Sequence, residues 1–191
     1  MTLSLAKGEK VSLSKAEPGL SRILIGLGWD VRTTDGADFD LDSSVLLLGD
    51  NGKVPSDREF IFYNQPQSAD GSVVHQGDNR TGAGDGDDEV VTADLSKLPA
   101  NIQKVAIVVS IHDAEVRSQN FGQVRNAYVR IVNLDNDHEI ARYDLTEEFS
   151  TETALIFADV YRHNGEWKFG AVGQGYSSGL AGVASDFGVN V

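Results

Sequence analysis

The chain has no cysteine. That absence excludes disulfides, thiolate metal sites, iron–sulfur clusters and thiol nucleophiles. With one methionine and four scattered histidines (His75, His112, His138, His163), soft-metal and haem ligation have few ligands to draw on. Long apolar runs are missing too: VLLLG and VAIVVSI are far too short to span a bilayer. The N-terminal MTLSLAKGEKVSLSK lacks the apolar core and small-residue cleavage site of a signal peptide, so a soluble cytoplasmic protein is expected. Cations are scarce, 16 Lys and Arg against 29 Asp and Glu. The resulting net charge of −13 repels phosphate backbones, and no nucleic-acid partner is expected. There is also no HExxH and no GxGxxG opening a helix.

What the chain does have is ordinary globular composition, 40% hydrophobic and 24% charged over 191 residues. No Pro- or Ser-rich linker and no internal repeat divides it, so one domain over 1–191 is expected. Short apolar stretches recur between turn residues. SLAKGEKVSLS reads as two edge strands around Lys7-Gly8, followed by strands at 22–31, 39–49, 58–64, 88–95 and 104–113. Residues 126–145 read as a hairpin with its tip at Asp135-Asn136-Asp137. Residues 154–176 form a second, turned by His163-Asn164-Gly165. Helical signals are confined to 114–122, a single turn at 95–99 and a short C-terminal helix at 177–188. The pattern predicts an all-β fold, a β-sandwich of two antiparallel sheets with a few short helices.

The densest chemistry is GDNRTGAGDGDDE, residues 77–89, where five carboxylates (Asp78, Asp85, Asp87, Asp88, Glu89) and four glycines accompany one cation, Arg80. As a phosphate loop it fails, because it offers negative charge and no Lys. As a cation site it is coherent. Ca²⁺ takes about six to eight oxygens, and glycines let backbone carbonyls turn inward beside short Asp side chains. Two like charges about 4 Å apart repel by roughly 4 kcal/mol at an effective dielectric of 20. A divalent ion reverses that sign. The EF-hand spacing does not fit, so the site must be assembled from loops of the β-scaffold. A second acidic group, Asp30, Asp35, Asp38, Asp40 and Asp42, falls within thirteen residues. Strand alternation puts Asp40 and Asp42 on one face, about 7 Å apart at Cα, where they can meet the first group across a sandwich end.

These blocks carry a resemblance. GLGWD (26–30), DFDLDSS (38–44), DGSVVHQGDNRTGAGDGDDE (70–89), VVSIHDAEVRSQNFGQVRNAYVRIVN (108–133) and ARYDLTEEFSTETALIFADVYRHNGEWKF (141–169) are similar, in collinear order, to the TerD family of tellurite-resistance and stress proteins. That family also includes slime-mould cAMP-binding proteins. The resemblance implies a sandwich with Ca²⁺-binding loops at one end, two ions in neighbouring sites, and a role in resistance to tellurite, phage and colicins. It implies partners among other tellurium-resistance proteins, in a complex peripherally associated with the membrane. By motif, the implied metal residues are Asp30, Asp40, Asp42, Asp78, Asn79, Asp85, Asp87, Asp88 and Glu89, with carbonyl oxygens from Gly82 and Gly84. A chain with no Cys and one Met is ill suited to reducing or trapping tellurite itself. The expected function is therefore a non-enzymatic, Ca²⁺-dependent binding or scaffold module. The alternatives are an Mg²⁺- or Mn²⁺-dependent phosphoryl-transfer enzyme, with Arg80 in its loop, and a cAMP-like nucleotide-binding module.

Overall fold

The computed structural model describes residues 1–30, 35–77, 86–146 and 149–190. Among the described residues, twelve strands form two six-stranded sheets. The first orders β1 (Leu3–Leu5), β10 (His138–Asp144), β9 (Tyr128–Asn133), β3 (Arg22–Gly28), β7 (Glu89–Asp94) and β6 (Val73–His75). The second orders β2 (Lys10–Ser12), β12 (Glu166–Tyr176), β11 (Ala154–His163), β8 (Lys104–Ile111), β4 (Leu41–Leu48) and β5 (Phe60–Ile61). Every pairing is antiparallel except β1 on β10.

The two expected N-terminal strands exist, but as edges of opposite sheets. The chain crosses the sandwich at Lys7-Gly8 and then makes a one-turn helix, α1 (Leu13–Ala16). Ser12 caps that turn by accepting from the Lys15 N–H at 3.2 Å. The main core lies between the sheets, where Ile23, Ile25, Val91, Val129 and Ile131 face Leu41, Val45, Leu47, Ile107 and Phe157. Tyr143 and Phe157 meet edge-on across it, with ring centroids 5.4 Å apart.

The VLLL run of β4 is apolar on both faces for a reason outside the sheets. Leu46 and Leu48 join Ala106, Val108 and Ile156 in a second apolar cluster under α3 (Gly179–Asp186), which contributes Val183 and Ala184. A bulge at Phe157 shifts the register of β11 against both neighbours. Ile156 consequently faces α3, while Phe157 and Ala158 both reach the main core.

One expectation is corrected. The stretch 58–64 is a 3-10 turn (Asp57–Glu59), a two-residue β5 and a tight turn. The Gln65 side-chain amide holds that turn by donating to the Asp57 carbonyl at 2.9 Å and to the Phe60 carbonyl. The region 114–122 splits into a one-turn α2 (Ala114–Arg117) and a 3-10 turn (Phe121–Gln123). Asp113 and Ser118 flank α2 in the left-handed region, at φ 49° and 53°.

The pairing brings the acidic segments to one end. The end of β3 and the starts of β7 and β9 lie side by side in the first sheet. The start of β4 lies beside the end of β8 in the second. The described ends on either side of residues 78–85, His75 paired with Val91 and Gly86 just before β7, are at this same end.

Candidate functional site

Six sequence-predicted site residues are described: Asp30, Asp40, Asp42, Asp87, Asp88 and Glu89. Asp78, Asn79, Gly82, Gly84 and Asp85 lie outside the described residues. Among the described residues, no three His, Asp or Glu side chains are grouped so as to hold a metal ion.

The consecutive acids Asp87, Asp88 and Glu89 go three ways. Asp87 turns onto the outer face of the first sheet. There the Arg130 guanidinium grips it from Nε (2.8 Å to Oδ1) and Nη2 (2.9 Å to Oδ2). The Tyr128 hydroxyl donates to the same carboxylate at 2.9 Å and reaches the Gly86 carbonyl at 3.1 Å. Arg130 is held in turn by Glu139 at 2.9 Å. The strands beneath are cut away to admit this cluster. A Cβ on Gly26 would sit 2.1 Å from Asp87 Oδ2, and one on Gly28 would sit 2.4 Å from the Tyr128 ring. Arg142 stacks on the opposite face of the cluster, 3.7 Å from the Tyr128 ring centroid. Burial, then the Asp87 charge and hydrogen bond, push the Tyr128 phenol up to about 12.

Asp88 turns toward Trp29, whose backbone N–H donates to Oδ2 at 2.9 Å. Burial raises the Asp88 carboxyl above its ordinary range. The Trp29 bond opposes that shift, and the charges of Asp87 and Glu89 reinforce it. Asp30, one residue beyond Trp29, is exposed and accepts from the Asn126 amide at 2.6 Å.

Glu89 points inward and is 2% exposed. Its Oε2 accepts the Ser43 backbone N–H, which ties β7 to β4 across the sandwich. Its other oxygen, Oε1, is buried with no hydrogen-bond partner among the described residues. His75, also buried, completes this pocket. Its Nδ1 accepts the Gly77 N–H at 3.2 Å, so its proton sits on Nε2, 2.9 Å from Ser43 Oγ and 3.6 Å from Glu89 Oε2.

Asp40 and Asp42 are both buried, and Asp42 shares the outer face of the second sheet with Ser44 and Ser110. Arg117 stands 3.6 Å from Asp40, and His112 stands 3.4 Å from Asp42. The buried Gln119 amide donates to the carbonyls of Ala37 at 2.8 Å and Asp38 at 3.2 Å. The α2 corner thus braces the acidic segment from behind. Sequence reasoning missed this brace, along with Arg130, Tyr128 and His75. Only the left-handed corners at Asp113 and Ser118 set the α2 region apart, and nothing local in the sequence announces them.

A two-sheet β-sandwich that gathers acidic segments from both sheets at one end is the class this arrangement defines. The TerD domain family matches residues 1–187, and the chain belongs to that family of tellurium-resistance and stress-response proteins. It is 60% identical over 190 residues to the tellurium resistance protein TerD of Serratia marcescens, covering 100% of this chain and 99% of that protein. It is 62% identical over 192 residues to general stress protein 16U of Bacillus subtilis (strain 168), covering 100% of both. Among solved structures, a homologue of telluride resistance protein from Streptomyces coelicolor A3(2) superposes with a TM-score of 0.69 at 25% identity. That match covers 87% of this chain and 96% of the other. No helix among the described residues is long and apolar enough to cross a membrane.

Proposed function

We propose that this chain is a non-enzymatic calcium-binding module of a tellurium-resistance and stress-response system, taking two Ca²⁺ ions at the acidic end of the sandwich. The observation that carries the reading is Glu89 Oε1, a carboxylate oxygen buried where the acidic segments converge, without a hydrogen-bond donor among the described residues. A buried polar atom left unsatisfied costs about 1–3 kcal/mol, and more when charged. A hard cation is a partner that suits a buried anionic oxygen. Glu89, Asp88, Asp40, Asp42 and Asp30 would hold the metal together with Asp78, Asn79, Asp85 and the carbonyls of Gly82 and Gly84. The ion supplies counter-charge and ties the loop to both sheets.

Asp87 takes a different part. Both its oxygens are engaged by Arg130 and Tyr128, and we assign it the anchoring of the loop's exit on the first sheet. Arg130 at that exit is committed to Asp87 and Glu139 rather than offered to a phosphoryl group. With no Cys and one Met the chain has little redox capacity. Its part in tellurium resistance is therefore a Ca²⁺-dependent contact with other resistance proteins, at a complex recruited to the cytoplasmic side of the membrane. Thermal unfolding of chelator-stripped protein tests the metal reading. Ca²⁺ at about 100 times its dissociation constant should stabilise the fold by about 2.7 kcal/mol, roughly 5–10 °C for a chain of this size. An unchanged transition on adding Ca²⁺ would remove the proposal.

A further inference from the structure

The outer face of the second sheet is only half covered. The helix α3 roofs Leu46, Val108 and Ile156, and beyond Phe187 the strands lie open. A cleft of about 480 Å³ remains there, within the range of small-molecule sites, about 300–1,000 Å³. Its floor is apolar, made by Ala106, Ile156 and Val172. We propose that it binds a small amphipathic organic anion, an apolar ring or short chain ending in a carboxylate.

Strand register supplies the charge. Tyr161 pairs with Lys168 on β12 and with Lys104 on β8, so the phenol ring lies between two ammonium-bearing neighbours. In the adjacent row Lys10, Gly170 and Asp159 are consecutive partners across β2, β12 and β11. The ammonium groups of Lys10 and Lys104 lie 5.9 and 5.6 Å from the Tyr161 ring centroid. The cleft's own lining balances, Lys104 and Arg162 against Asp50 and Asp159. Lys10 and Lys168, its neighbours around Tyr161, tip the region positive on a chain whose net charge is −13. An anion is therefore drawn to this face and repelled from most others.

The polar groups are held in place before any ligand arrives. Asp159 is nearly buried and paired with Lys104 at 2.8 Å. It fits because position 170 is glycine, where a Cβ would come within 2.7 Å of Asp159 Oδ1. Arg162 lies over the Trp167 ring at 4.7 Å and donates from Nη2 to the Leu98 carbonyl at 3.0 Å. Its Nε is buried with no hydrogen-bond partner among the described residues. Arg162 and Gln103 line both this cleft and an adjoining hollow of about 260 Å³. Arg162 pairs with Trp167 on the opposite face of β11 from Tyr161, so the ammonium groups of Lys10 and Lys104 beside the Tyr161 ring, next to the apolar floor, are what suits a carboxylate carried on an apolar body.

The test is ligand-observed NMR on the full chain in the presence of chelator, which separates this site from the calcium reading. The probes are phenylacetate, phenethylamine and inorganic phosphate. Saturable phenylacetate binding is expected, with a dissociation constant on the order of 1 mM. It should weaken about tenfold in Lys10→Met and in Lys104→Met, equivalent to about 1.4 kcal/mol each. Lys168→Glu, a charge reversal beside Tyr161 that leaves the apolar floor intact, should weaken it while the melting transition stays in place. Equal binding of the amine, equal binding of bare phosphate, indifference to all three substitutions or no saturable phenylacetate signal would each overturn the proposal.

Discussion

Asp87, Asp88 and Glu89 are neighbours in sequence with separate fates, because alternation along β7 turns Glu89 inward with Val91 and Ala93, while Asp87 and Asp88 precede the strand. Glu89 enters the sandwich, Asp87 lies on the outer sheet surface against Arg130, and Asp88 meets the Trp29 backbone. The Asp87 cluster exists only because position 26 has no side chain. Gly26→Ala should destabilise the protein by about 1–3 kcal/mol through overpacking. In an Asp87→Ala background the same change should cost under about 1 kcal/mol, since the clashing carboxylate is gone. Urea unfolding of the four proteins closes the cycle, and additive costs would show that Gly26 does not make room for Asp87. The acids of this cluster were legible in the sequence as a dense charge. Their division into an anchored Asp87, an Asp88 on the Trp29 backbone and an inward-facing Glu89 was not, because Arg130 and Tyr128 are more than forty residues from Asp87.

Among the elements, both hairpins were legible because their turn chemistry is local. At the tip of β11–β12, Asn164 and Gly165 adopt φ 52° and 74°, the pair of positive angles that an Asn-Gly turn supplies. Gly165→Ala should cost about 1 kcal/mol, seen as a lower urea midpoint with an unchanged slope. No loss would mean that the turn relaxes to another type. The long strands β4 and β8 were legible from apolar content, although their burial on both faces depends on α3, far along the chain. The short elements were not legible. Strand β6 has three residues and β5 has two, and each is held by partners rather than by its own propensity. The turn at 62–65 rests on the Gln65 amide, a contact with no sequence pattern to announce it.

At the scale of the molecule, the sandwich separates two chemistries. The end carrying β3, β4 and β7 collects acids from both sheets, while the open half of the second sheet collects lysines around Tyr161. The Ser43–Glu89 bond is a direct strut between the sheets at the acidic end, beside the Ser43–His75 contact, and the unsatisfied oxygen belongs to that same carboxylate. A cation seated there would stabilise the β4–β7 junction and the loop together. Mutual repulsion among the acids would oppose closure without it. Calorimetric titration of chelator-stripped protein with Ca²⁺ tests this most directly, comparing the native chain with Glu89→Gln and Asp87→Asn. Saturable binding that is lost or weakened at least about tenfold in Glu89→Gln, with stoichiometry retained in Asp87→Asn, is the predicted result. Binding unaffected by Glu89→Gln, or no binding by the native chain, would contradict the account.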